Sequence, residues 1–224
     1  MSAGPWPRPA PRQRARSLLA RLQLGLEALY RVETQLAIDA FVIDDAARDR
    51  MQPARAPREQ LLLRESGGEL GMALFVDDAA LANLERNDPA ARLDDRNFTD
   101  FCLVVEGVSH FIYVALAAAR ERAVSQLELE LQAEVDKFVC CTLVAGGGAP
   151  DLRGRLYGEV SYAADLDDTE RERYRIANQE ASRYAGALER RFVARAQTIA
   201  LLAEVRRFYR MDLPDKLGRI AQLA

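Results

Sequence analysis

Histidine occurs once in this 224-residue chain, at His110, lysine twice, at Lys137 and Lys216, and cysteine three times, at Cys102, Cys140 and Cys141. Each scarcity removes a class of chemistry. A Ser-His-Asp or Cys-His relay has to be built on His110 or not at all. Cys102 lies about two helical turns before it, too far for that relay, and a helix interior is a poor seat for a nucleophile. An odd number of cysteines, two of them adjacent, is no disulfide framework. All three stand among apolar residues, which reads as reduced core thiols, with Cys102 shielded by Phe101 and Val105.

Other signals are missing as well. Gly146, Gly147 and Gly148 have the glycine content of a phosphate loop, but no Lys-Ser/Thr follows, and Pro150 and Asp151 replace the helix start. The run reads as a hinge. Leu18, Leu19 and Ala20 are followed at once by Arg21, so no uninterrupted apolar stretch of a signal peptide forms. The longest apolar stretch, 101–119, contains Glu106 and His110 and reads as a buried core helix rather than a membrane span. With neither membrane nor export signal, a cytoplasmic location is expected. The arginine-rich, alanine-rich, lysine-poor usage fits a GC-rich bacterial genome. No internal repeat is found.

The charge is unevenly spread. The formal net charge is −3, yet residues 1–21 carry five arginines and no acid. An acidic body with a short basic arm is not the composition of a nucleic-acid-binding domain. Residues 169–210 hold ten arginines against five glutamates, spread around several faces without the glycine or aromatic pattern of an RNA-binding motif. They read as a solvated face, with a phosphate-bearing or acidic partner as the lesser alternative.

Residues 1–13, with Pro5, Pro7, Pro9 and Pro11, read as a disordered basic arm. The remainder, 14–224, reads as one domain with a sub-boundary near 146–150. An amphipathic helix should run from about Arg14 to near Glu33, through Leu18, Leu22, Leu26, Leu29 and Tyr30. A short β-like run ends at Ile43, and residues 46–58 read as a loop. Runs at 59–64 and 69–76 around Gly67 and Gly68 predict a hairpin. Asp77 and Asp78 should cap a helix through Asn87. Long helices are predicted from Asn97 to Arg120 and, behind a Ser125/Glu128 capping box, to Val144. Leu156, Tyr157, Val160 and Tyr162 give the next connection some β character. Thr169 with Glu172 should cap a long helix that either reaches Phe208 or bends near Gly186. Pro214 opens a terminal helix. The fold class is α+β, predominantly helical, with a small antiparallel sheet in the N-terminal third, then a helical hairpin and a long C-terminal helix.

One helix carries an odd stripe. On a wheel of residues 98–119, Phe98, Phe101, Val105, Val108, Ile112 and Leu116 form one face, and Leu103, Val104, Phe111 and Val114 fill the flanks. What remains is Thr99, Glu106, Ser109, His110 and Tyr113. Glu106, His110 and Tyr113 stack at i, i+4 and i+7. Across a tight turn near Arg122, His110 and Glu134 lie at equal height, as do Tyr113 and Glu130 approximately. If the stripes face one another, Glu106, His110, Glu130 and Glu134 converge.

Two readings follow. In the first, His110 is hydrogen-bonded to Glu106 or Glu134 in the core, and Glu130 and Glu134 are otherwise solvated beside Lys137. In the second, the four residues hold Zn, Mn or Fe. The Glu-x-x-His spacing of di-iron bundles is absent, since here it is one residue longer. Unpaired burial of Glu106 would cost several kcal/mol, so some partner is required either way. Without a complete catalytic motif or cofactor fingerprint, the primary expectation is a non-catalytic interaction or adaptor protein. Tyr174, Tyr184, Phe192 and Phe208 would then give the C-terminal helix a docking or self-association surface. The alternative is a metal-dependent enzyme, hydrolytic in character, on the Glu/His stripe.

Overall fold

The computed structural model describes residues 17–51, 57–146, 151–158 and 166–223. The arm at 1–13, Gly147 to Pro150, Val160 and Tyr162 lie outside the described residues. The chain falls into two compact units. The first is Glu33–Arg122 with the chain up to Glu27, and the second is Ala123–Ala224 with Ala28–Val32. The division falls at the turn after the apolar helix.

In the first unit, α1 begins at Leu18 and ends at Tyr30, sooner than the leucine period implies. Arg31 and Gln35 take left-handed φ angles of 54° and 60° and turn the chain back. The returning strand is clasped by side chains. Gln23 Nε2 donates to Thr34 Oγ1 and Leu36 O, Ile38 N donates to Gln23 Oε1, and Thr34 Oγ1 donates to Glu27 Oε1 at 2.6 Å.

The sheet has the order β1-β3-β2, with β1 at Val42–Ile43, β2 at Glu59–Ser66 and β3 at Glu69–Val76. β2 and β3 form the expected antiparallel hairpin, turned by Gly67 and Gly68 at positive φ. β1 pairs with β3 in parallel, so the sheet is mixed rather than antiparallel throughout. The segment after β1 is not a loop from its start. Helix α2 spans Asp45–Met51, capped by Asp44 Oδ1 on Ala47 N at 2.8 Å. Its Arg48 lies buried over the Phe75 ring at 4.1 Å, and Ala47 packs with Ile43, Leu62, Ala73 and Phe75 on one sheet face. A seven-residue helix with arginine at its buried face offers no apolar period to read.

Asp77 caps α3, Asp78–Arg86, as its position implies. Buried Asn97 then holds the connecting loop, donating to Asn87 O and Arg92 O. It opens α4, Phe98–Ala119. Arg58, at the head of β2, joins the Asp77 cap and Asp100 of α4 at 2.8 Å each. The guanidinium holds the Asp77 carboxyl below its usual range. Among the described residues α4 is the one helix long and apolar enough to cross a membrane, and it is mostly buried against β2, β3 and α3. Fully buried Val104, Val105, Val108, Phe111 and Ile112 contribute about 2 kcal/mol each from removal of apolar surface.

Among its described residues the second unit has helices and no strand. α5 spans Gln126–Val144 with Ser125 accepting from Glu128 N, as predicted. Leu156 and Tyr157 lie on a short helix, α6, Leu152–Tyr157, not on a strand, and the Tyr157 hydroxyl donates to Glu134 O of α5. α7, Asp168–Arg191, is capped two residues earlier than predicted. Asp167 and Glu170 form the capping box, while Glu172 is taken by Arg175 at 2.6 Å. The helix runs through Gly186 without a break and stops at Phe192, where a 3-10 turn and Ala196 at φ 51° separate it from α8, Thr198–Tyr209. Terminal α9 spans Leu213–Leu223. Two of the four aromatics expected on a docking face turn inward. Tyr184 and Phe208 are fully buried and stacked at 4.1 Å in the unit's own core, while Tyr174 and Phe192 are half-buried. An apolar period marks the face a helix buries, without saying against which element.

The architecture is therefore α+β and predominantly helical, 68% helix among the described residues, with a small three-stranded sheet in the N-terminal third.

Candidate functional site

The stripe of the first unit is buried over its C-terminal part. Ser109, His110 and Tyr113 are buried on α4, Glu106 is half-buried one turn before His110, and Thr99 is exposed. The nearest carboxylate recorded for His110 comes from the sheet. Glu59 is the first residue of β2 and pairs with Val76 of β3. Alternation puts its side chain on the sheet face of Leu61, Leu74 and Val76, toward α4. Glu59 Oε1 lies 3.6 Å from His110 Nδ1, with the two side chains only 8% and 7% exposed.

Gly107 makes that approach possible. A methyl group there would stand 2.9 Å from Glu59 Cγ and 3.0 Å from Oε1, inside any normal contact. Glycine in a helix interior costs about 1 kcal/mol against alanine. In this helix it clears the space that a buried carboxylate occupies. Glu106 stands one turn before His110 on the same helix face. The His110–Glu59 separation exceeds that of an N–H···O hydrogen bond.

Tyr113 and Glu134 have partners of their own. Tyr113 has Arg122 at 5.4 Å from its ring centroid, within the first unit. Glu134, in the second unit, is paired with Lys137 on its own helix at 2.8 Å. Glu130, in the same unit, is buried rather than solvated. Glu59, which the sequence reading missed, stands beside His110. One sequence signal pointed toward it: a lone glycine inside an otherwise bulky helix marks close approach by another element. The cysteines also change rank. Cys102 and Cys140 are half-buried, and the buried thiol is Cys141.

A second polar group, unforeseen from sequence, fills the core of the second unit. Lys216 of α9 is fully buried and its Nζ donates to Gln132 Oε1 at 2.8 Å. Gln132 Nε2 donates to Asp136 Oδ1 at 2.7 Å, and the Tyr30 hydroxyl donates to the same oxygen. Tyr30 stacks on Tyr209 at 4.0 Å. Burial first, and the Asp136 carboxylate second, push the Tyr30 hydroxyl well above its ordinary pKa. Beside this chain, Arg219 grips Glu204 through two nitrogens at 2.9 and 2.6 Å, and Tyr184 donates to Glu204 at 3.2 Å. Lysine and glutamine separated by 84 positions leave no trace in a periodic pattern.

Comparison with family models, curated proteins and solved structures gave no match. The side chains themselves therefore carry the functional reading.

Proposed function

We propose that the protein binds a divalent transition metal through Glu59, Glu106 and His110 of its first unit. The observation that carries this reading is the Glu59 carboxylate, kept over Gly107 and 3.6 Å from the His110 imidazole. Two carboxylates balance a dication, and an imidazole among them favours Zn, Mn or Fe over Mg or Ca. Three protein ligands leave a coordination position for water, the arrangement that hydrolytic metal centres use. The half-buried Glu106 gives the side from which water would enter.

The test is a thermal scan and calorimetric titration of the chelator-treated full chain with Zn and with Mn. A site filled to about a hundred times Kd adds about 2.7 kcal/mol to stability, and a chelator removes it. E59Q and H110A should each abolish the gain, because each removes a first ligand. E130Q and E134Q test the equal-height argument of the sequence. A wild-type protein whose stability ignores both metals would overturn the reading.

A second reading, a non-catalytic protein that self-associates, is favoured by one observation. Ile199 at the head of α8 is 86% exposed, an unusual setting for a large aliphatic side chain. Light scattering of wild type and I199S over a concentration series tests it. A monomer at all concentrations would remove it.

A further inference from the structure

Three arginines gather at the last turn of α1, all within the second unit. Arg206 donates from Nε to Leu29 O at 2.6 Å. Arg210, one turn later on the same face, donates from Nη2 to Tyr30 O at 2.9 Å and from Nη1 to Arg206 O at 2.5 Å. Arg31 follows Tyr30 directly, exposed and in the left-handed backbone region.

Capping explains part of this arrangement. The carbonyl end of a helix carries about half a negative charge, so one guanidinium already balances it. Three leave an excess of about two and a half positive charges at one place. Neighbouring arginines of the same unit are arranged differently. Arg175, Arg183 and Arg219 each have a carboxylate at 2.6, 3.0 and 2.6 Å. The charges acting on Arg206 are Arg31 and Arg210, and among the described residues no carboxylate is recorded with Arg206. Burial first, then these two cations, lower its pKa from the ordinary arginine value. Like charges held close by the fold favour a counter-charge from outside.

We propose that Arg31, Arg206 and Arg210 form a binding site for a phosphate group on a small molecule. The committed atoms point to which anion fits. Arg206 spends Nε on Leu29 O, which leaves its terminal Nη pair to meet two oxygens side by side. A phosphate monoester brings about −1.5 to −2 charge and three acceptor oxygens, close to the excess. A carboxylate brings one charge and two oxygens, and leaves more than one cation unbalanced. Arginine suits this task because its planar fork matches phosphate and stays charged at any physiological pH.

This site stands in the second unit and is independent of the metal reading. The experiment is a calorimetric and NMR titration of the full chain with inorganic phosphate and with phenyl phosphate, at fixed ionic strength. Acetate serves as the carboxylate control. Both phosphates should bind and acetate should not. R31Q should weaken binding about tenfold, since one charge-assisted contact is lost. R206Q should weaken it further but also removes a contact to α1, so R31Q carries the decision. R183Q, whose charge Glu180 already holds, should bind as wild type does. Tight phosphate with slack phenyl phosphate would assign the site to the free ion, and the reverse to an ester. Absence of binding, equal binding of acetate, or an R31Q protein indistinguishable from wild type would overturn the proposal.

Discussion

The two units bury polar groups in different ways. In the second, Lys216, Gln132, Asp136 and Tyr30 form a chain of donors and acceptors at hydrogen-bonding distance, and Glu204 is held by Arg219 and Tyr184. In the first, a carboxylate and an imidazole are held 3.6 Å apart over a glycine that exists to admit them. A closed hydrogen-bond chain fixes a core in one arrangement. A carboxylate–imidazole pair at longer range is what a third species can bridge. The contrast teaches that burial of polar residues is not one phenomenon. Distances separate a closed hydrogen-bond chain from a carboxylate–imidazole pair held at longer range.

The strongest attack on this contrast is Lys216→Met. It keeps most of the volume but strands the partners of a buried ammonium, which should cost about 3 kcal/mol. Urea unfolding with and without Zn measures it, and the loss should be the same in both. A variant as stable as wild type would show that the chain of contacts is not structural.

The next effect is pH-dependent. Tyr30 and Tyr184 are both raised above their ordinary pKa, in each case by burial first and a neighbouring carboxylate second. Folding therefore favours the protonated hydroxyls. Their contribution is complete below pH 10, where the unfolded chain's tyrosines are also protonated. It falls as the unfolded chain ionises, by roughly 1.4 kcal/mol per pH unit for each tyrosine. Denaturant midpoints between pH 9 and 11 should drop in wild type and less steeply in Y30F. Equal slopes would remove Tyr30 from the titrating set.

The smallest change sharpens the first unit. Gly107→Ala gains about 1 kcal/mol of helix propensity and meets Glu59. Overpacking costs about 1–3 kcal/mol, so the net loss should be about 1 kcal/mol. Its diagnostic value lies in the metal response, which should vanish as Glu59 is displaced. Retention of that response would place the ligand somewhere other than over residue 107.

Much of this molecule follows from short stretches of chain. The α4 helix, the hairpin at Gly67 and Gly68, and the caps at Asp77 and Ser125 depend on neighbours within a few residues, so their signals lie side by side in the sequence. Short α2 and α6 escaped because six or seven residues are too few to show a period, and the choice of Asp167 over Thr169 as a cap turned on which glutamate Arg175 took. His110 and Glu106 were legible as a candidate site because an ionisable stripe on an apolar helix must find a partner. Glu59 and Lys216 were not. Glu59 reads as the polar start of a strand until β3 fixes its register and α4 covers its face. Lys216 reads as a surface charge on a terminal helix until Gln132, 84 positions away, receives its ammonium. Sequence determined which residues needed partners, through periodicity and the cost of burying charge. Tertiary structure chose the partners, because contacts between distant segments depend on register and packing that no local pattern encodes.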